Sequence, residues 1–301
     1  MIGVSTRRRR ETLAGLLFVA PDTIGLGIFV ALPLAFSVVF GLFNVNGFGS
    51  YRFVGAANYA RLFHDTLFLQ SLRVTGIYVA LFVPSVFCVS LLLAHLVMRP
   101  GGVSTLSRTL FFLPNVVGLI VIGVVWQYLL VQRQGVVDSL FSGIGLGNVS
   151  WLGQPNIALV VMVVVSVWYS MGLYMIIFTA ALQDIPPAYY EAASLEGAGK
   201  VAMFRSITWP LLKPTSLFVF LLTMIVGVAG LQSFDLIYIM TQGGPANSTQ
   251  LLAYYIYKVA FEYGEFGYAS AMASVYVAFL LVWSVLFFKV TKGGRFSYAD
   301  D

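Results

Sequence analysis

Few residues in this 301-residue chain have the type and spacing to do chemistry. The two histidines, His64 and His95, stand in separate regions of the chain, and the single cysteine, Cys88, lies inside an apolar run. None belongs to a metal-ligand spacing, and Cys88 can form no intrachain disulfide, so it is expected to behave as a small buried hydrophobe. Gly197-Ala198-Gly199-Lys200-Val201 has the look of the end of a phosphate-binding loop. That loop needs glycine five positions before its second glycine and Ser or Thr after the lysine, where this chain has Ser194 and Val201. ATP is therefore not held by that route. Gly143, Gly145 and Gly147 read as a turn. Two acids, Asp22 and Asp235, fall within apolar runs, where a charge must face a cavity, a partner or water. Each is open to a functional reading and to an interfacial one. With no nucleophile, metal cluster or acid–base pair, no catalytic residue, metal or cofactor is assigned to this chain, and an enzyme is not expected.

The elements that must position these residues follow from composition. Apolar residues make up 59% and charged residues 10%, with a net charge of +5 and a mean hydropathy of +0.89. A soluble domain is nearer 45–50% apolar and about 25% charged, so a soluble enzyme is excluded and an all-α polytopic membrane protein is expected. Six apolar runs are long enough to span, near 13–43, 74–97, 109–131, 157–182, 215–240 and 268–288. Pro21 and Pro33 are expected to bend or end the first, and Pro84 and Pro114 to interrupt the second and third. Arg7 to Arg10 before an apolar stretch imitate a secretory signal, but the stretch runs on through Phe43, so it reads as an uncleaved first helix. Twelve Lys and Arg fall on one side of the membrane, including Arg99, Lys292 and Arg295, against five on the other. The richer side is cytoplasmic, which places both termini there. The basic balance is thus a topology signal and implies no nucleic acid. The expected organisation is a basic N-terminus (1–12), a six-helix transmembrane body (13–290) and a C-terminal tail (291–301).

The inner loop 183–214 holds the densest set of helix signals. Asp184 reads as a helix cap ahead of Pro186 and Pro187, starting a short helix to about Glu196. Gly197 and Gly199 permit a sharp turn that a side chain at 197 would block, and a second short helix from about Lys200 is expected to end at Pro210. Such a bent pair suits the transmission of force to another subunit, and equally suits an ordinary amphipathic connection.

The residues of this loop carry a resemblance. Glu191-Ala192-Ala193, then Gly197, then Ile207 and Pro210, resembles the EAA loop of permease subunits in binding-protein-dependent ABC importers, whose pattern is E-A-A, three residues, G, nine residues, I-x-L-P. Trp209 replaces the usual leucine. The segment from Phe234 to Pro245, with Tyr254-Tyr255-Ile256-Tyr257 and Ala260-Phe261, resembles carbohydrate-uptake permeases of the MalF type, as do Phe53-Val54-Gly55, Asn58-Tyr59 and Phe111 to Pro114. The resemblance implies a second permease subunit, two ATP-binding cassette subunits that bind ATP and Mg, an extracytoplasmic solute-binding protein and a bacterial or archaeal inner membrane surrounded by lipid. It also implies that Glu191, Ala192, Ala193, Gly197, Ile207 and Pro210 couple to the ATPase subunits.

A sugar-like solute needs aromatic faces to stack on and amides or hydroxyls to hydrogen-bond. Candidates are Trp168, Tyr169 and Tyr174 in span four, Gln232, Ser233 and Asp235 in span five, and Ser270, Ser274 and Tyr276 in span six. Each aromatic fits an interfacial or packing role as well. In MalF-type permeases the segment just before the Phe234 stretch contributes to the sugar site, matching Gln232 and Ser233 in place but not in residue type. Permeases for glycerophosphodiesters, amino sugars or amino acids are the nearest alternatives. A secondary transporter would favour coupled intramembrane charges and inverted repeats, which the sequence lacks.

Overall fold

The computed structural model describes residues 3–47, 49–98, 101–142, 149–230 and 232–290, with side-chain detail from residue 11 onward. Arg7 to Arg10, Arg99, Lys292, Arg295, the glycines 143, 145 and 147 and the tail 291–301 lie outside what is described of side chains or backbone. Contacts divide the chain into two compact units, Met1–Asp65 with Ile256–Ala278, and Thr66–Tyr255 with Phe279–Asp301.

In the first unit, α1 (Gly3–Leu26), a π-helical turn (Gly27–Ala31) and α2 (Leu32–Phe40) form one long apolar rod. Pro21 sits inside α1, and Pro33 opens α2 without ending the helix. The reason is the wide turn ahead of it: the Leu32 N–H bonds to Gly27 O, five residues back. That extra residue makes room for a ring that would otherwise crowd the preceding turn. A small hairpin follows, β1 (Phe43–Val45) antiparallel to β2 (Tyr51–Phe53), with Phe43 opposite Phe53. Among the described residues it is the one sheet, a local addition to a mostly helical fold. Asn58, on α3 (Ala57–Leu62), ties down its base by donating to Gly41 O and Phe43 O, both at 2.9 Å. Arg61 pairs with Glu265 and lies 3.9 Å over the Tyr268 ring, while the Tyr268 hydroxyl donates to Asp65 at 2.7 Å.

The second unit opens with α4 (Thr66–Val97), then α5 (Gly102–Val116), α6 (Leu119–Leu129) and the short α7 (Val136–Ser142). After α8 (Pro155–Gln183) come α9 (Pro187–Leu195), α10 (Lys200–Met203), a π turn (Phe204–Thr208) and α11 (Trp209–Ala229). The chain continues through α12 (Ser233–Met240), α13 (Leu252–Tyr257), a third π turn (Lys258–Glu262) and α14 (Phe266–Val290), whose second half returns to this unit. The core forms where α8 packs against α4, α5 and α11 and where α12 packs against α6. Tyr78, Phe82, Met162, Met175 and Phe178 are fully buried there.

Among the described residues, five helices are long and apolar enough to cross a membrane, and the bent pair α5–α6 makes a sixth. Six spans match the expectation, and two are interrupted: span three, where a break was expected at Pro114, and span five, where none was expected. Span three turns by 101° between α5 and α6. The break falls at Val117 and Gly118, which are extended, and not at Pro114, which stays within α5. Span five breaks after Ala229, where Gly230 takes φ +72°. Cys88 is exposed on α4 and so is not the buried hydrophobe expected, because it falls on the face of α4 that other helices leave uncovered.

Candidate functional site

Two groups of residues were anticipated, and both lie largely in the second unit. The first gathers around the breaks in spans three and five. Ending α5 frees backbone groups in an apolar setting, and a broken membrane helix persists only when neighbours satisfy such groups. Here α8 does so. Asn115 Nδ2 donates to Tyr169 O at 3.3 Å, and the Tyr169 hydroxyl reaches Asn115 O in a long 3.5 Å bond. One residue along α8, Ser170 Oγ donates to Gln232 Oε1 at 2.8 Å, which pins the break in span five to the same helix. Trp168 completes the strip, its ring edge-on to Trp126 of α6 with centroids 5.5 Å apart. Asp235 sits in the first turn of α12, where the helix dipole favours a negative charge. The break in span five therefore explains how an acid is accommodated in an apolar run. Ser233 is buried beside the Tyr78 hydroxyl, and Tyr174 is buried deeper in α8.

The structure thus brings Trp168, Tyr169, Gln232 and Asp235 to the two breaks. Ser274 belongs to the first unit, where its hydroxyl lies 3.3 Å from that of Ser37 and donates to Ser270 O at 2.7 Å. Among the described residues, no group of three or more His, Cys, Asp or Glu is placed to hold a metal ion.

The second group is the 183–214 loop. Asp184 does not cap α9; it closes α8, its N–H bonding Ala180 O. Pro186, extended at φ −58° and ψ 128°, holds the cap position of α9, so the aspartate comes two residues too early. The far end of α9 closes by a pair of reversed bonds, Ala198 N–H to Ala193 O at 3.0 Å and Gly197 N–H to Ser194 O at 3.1 Å. This is the Schellman arrangement, which requires a left-handed residue. Gly197 supplies it at φ +80°, whereas Gly199 is an ordinary extended residue. A Cβ at 197 would meet nothing within 4 Å, so a side chain does not block the turn and only backbone strain opposes it.

Gly197→Asn is accordingly expected to keep the turn, since asparagine tolerates this conformation. Gly197→Val is expected to cost about 1–2 kcal/mol locally. Hydrogen exchange at the Ala198 amide reads the difference: fast exchange in the valine variant alone, against equal protection in both if the turn does not depend on residue 197.

Beyond the turn, α10 runs through the π turn into α11 without stopping at Pro210. The Trp209 N–H bonds Phe204 O, five residues back, which repeats at Pro210 the device seen at Pro33. The expected end of the second short helix is thereby corrected: the π turn relieves the proline, and α10 is helically continuous with span five. Between the limbs lies a cleft of about 350 Å³ lined by Ala192, Ala193, Glu196, Met203 and Ile207 among others. Tyr190 and Thr208 brace it, their hydroxyls 2.9 Å apart. No residue of α9 is buried, and Leu195 at its tip is 90% exposed. Glu191 is exposed, outside the cleft lining, with its carbonyl accepting from Ser194 Oγ.

The family model for the inner membrane component of binding-protein-dependent transport systems matches residues 86–292. This chain belongs to that family. It is 35% identical to the lactose transport system permease protein LacF of Rhizobium radiobacter, over 96% of this chain and 97% of that one. It is 32% identical to the diacetylchitobiose uptake system permease protein NgcF of Streptomyces coelicolor, over 89% of this chain and 80% of the relative. A chain from the crystal structure of a bacterial alginate ABC transporter in complex with an alginate pentasaccharide-bound periplasmic protein superposes with a TM-score of 0.81. That chain is 22% identical and aligns over 95% of this chain and 96% of its own length, which establishes the shared fold.

In this binding-protein-dependent permease, sequence reasoning missed Asn115, Trp126, Ser170 and Tyr78. The signal for Asn115 was available: an amide inside an apolar run must find partners in lipid, and Gly118 three residues on marks a turn. Trp126, Ser170 and Tyr78 carried no local sign, because their roles depend on which helix faces which.

Proposed function

We propose that this permease forms half of the translocation path of an ATP-driven sugar importer. In this reading it pairs with a second permease, receives solute from an extracytoplasmic binding protein and is driven by two ATP-binding cassette subunits. Both termini are cytoplasmic, which puts the 183–214 loop on the ATPase side. ATP and Mg bind the partner subunits, and this chain is a non-catalytic transport subunit.

The observation that carries the reading is α9, which has no buried residue and is turned back at Gly197 onto α10, itself continuous through a π turn with span five. A helix gripped by a nucleotide-driven partner would move span five as one body. Such a partner shifts a two-state equilibrium only by as much as it prefers one state. Support for sugar as cargo comes from relatives that carry lactose and diacetylchitobiose in their names. It also comes from the aromatic and amide groups at the two breaks, Trp168, Tyr169 and Gln232, which suit stacking and hydrogen bonding to a saccharide.

Co-purification tests the assembly: pulling on this chain should recover an ATPase and a second permease, and recovery of the chain alone from intact membranes rejects it. Gln232→Ala tests the path. The variant leaves the buried Ser170 hydroxyl without its acceptor, a loss of about 1–3 kcal/mol. The solute concentration giving half-maximal uptake should rise several-fold with assembly intact, and unchanged kinetics would discard this placement.

A further inference from the structure

We infer that the groove between α4 and α11 is a site for one anionic phospholipid, with its phosphate at Lys213 and an acyl chain along the aromatic wall beyond. The groove encloses about 290 Å³ and is lined by Phe87, Trp209, Lys213, Ser216, Leu217 and Phe220. Trp209, Lys213, Leu217 and Phe220 recur at helical spacing and so form one stripe of α11. Phe87 closes the stripe from α4, its ring edge-on to Trp209 with centroids 6.5 Å apart. The stripe is graded: from Lys213 to Phe220 the helix rises about 10 Å, the separation between a headgroup and the upper part of its chains.

Two polar groups in this otherwise apolar groove lack protein partners among the described residues. Lys213 is exposed at the mouth and pairs with no carboxylate. Ser216 is 7% exposed, and its hydroxyl has no hydrogen-bond partner. An apolar helix from another protein would cover the aromatic rings but leave an ammonium and a buried hydroxyl unanswered. A phosphate beside Lys213 and an ester oxygen beside Ser216 answer both. Lys213 also falls on the side of the membrane that the distribution of basic residues assigns to the cytoplasm, whose leaflet is anionic. A tryptophan next to a lysine on a membrane helix is the usual pairing at that boundary.

The test is native mass spectrometry of the permease with its accompanying subunits, extracted from membranes containing phosphatidylglycerol and phosphatidylcholine. Two variants address different halves of the site: Lys213→Gln removes the charge, and Leu217→Trp fills the groove while keeping it. Lys213→Gln should lower retained phosphatidylglycerol about fivefold, the ratio that corresponds to one lysine at a membrane surface, and Leu217→Trp should lower it by occlusion, both with subunit recovery unchanged. Retention equal to the parent protein in both variants overturns the inference. So does a Leu217→Cys variant that cross-links to a neighbouring protein subunit in the membrane, because the groove is then a protein interface.

Discussion

Gly172→Ala is expected to remove most folded permease from the membrane, although it adds a single methyl group. A Cβ at that position would lie 2.1 Å from Phe111 O and 2.7 Å from Phe112 Cα. These are backbone atoms of α5, which cannot rotate aside as a side chain can, so the whole helix must retreat from α8. Overpacking a core costs typically 1–3 kcal/mol, occasionally more, and contact with backbone belongs at the upper end, about 3 kcal/mol. The retreat would also separate Asn115 from Tyr169, four residues further along α5, and expose the groups freed by the break in span three. Close backbone approach through small residues is a general route to helix association in membranes. Gly76→Ala is the matched control, since a Cβ there meets nothing within 4 Å; it should be neutral or stabilising by up to about 1 kcal/mol. Thermal midpoints and yields of detergent-extracted protein read both variants. Indistinguishable midpoints for the two would mean that α5 is free to move and that the contact is not structural.

Ala193→Trp is expected to abolish solute-dependent ATP hydrolysis and uptake while leaving the permease folded. Ala193 lines the cleft between α9 and α10, and no residue of α9 contributes to the buried core. An indole there would fill much of this space of about 350 Å³ and alter the face of α9 that the ATPase partner is proposed to grip. Each 1.4 kcal/mol of weakened engagement is tenfold in affinity. Loss of two such increments, roughly a hundredfold, would uncouple the motor. Ser194→Trp is the counterpart, because that residue lies outside the cleft lining. Measured in proteoliposomes, retained coupling in the Ala193 variant would mean that the cleft is not the docking surface.

The fold was legible in the sequence wherever the argument needed only length and apolar runs. Thr66–Val97, Pro155–Gln183 and Phe266–Val290 fall close to the spans read from hydropathy, because burying apolar side chains in lipid is a property of composition. The extent of α9 was equally plain, from Pro187 at its start to Gly197 beyond its end. What composition could not reveal was continuity. The interruption of 109–131 was expected at Pro114 and falls instead at Val117, which is as apolar as its neighbours although it sits at a sharp corner. Pro210 read as a stop because a proline usually is one, and only the long-range setting decides that a π turn relieves it. At the site, Tyr169 and Gln232 were chosen for their chemistry, but their tie to the breaks came through Asn115 and Ser170, whose importance lies in the pairing of helices.

The wide turn at Phe204–Thr208 fixes an angular phase as well as accommodating Pro210. One additional residue inserted into an α-helical ladder displaces everything on its far side by about 100°. Excising a single residue there would leave the composition, the hydropathy and both helices almost untouched. It would nonetheless swing the Ala192–Ala193 face round the axis of span five like a key cut on the wrong edge. In this permease the compass bearing of the loop is therefore stored in a residue count, and a homologue that lacks the extra residue would present a different face from the same amino acids.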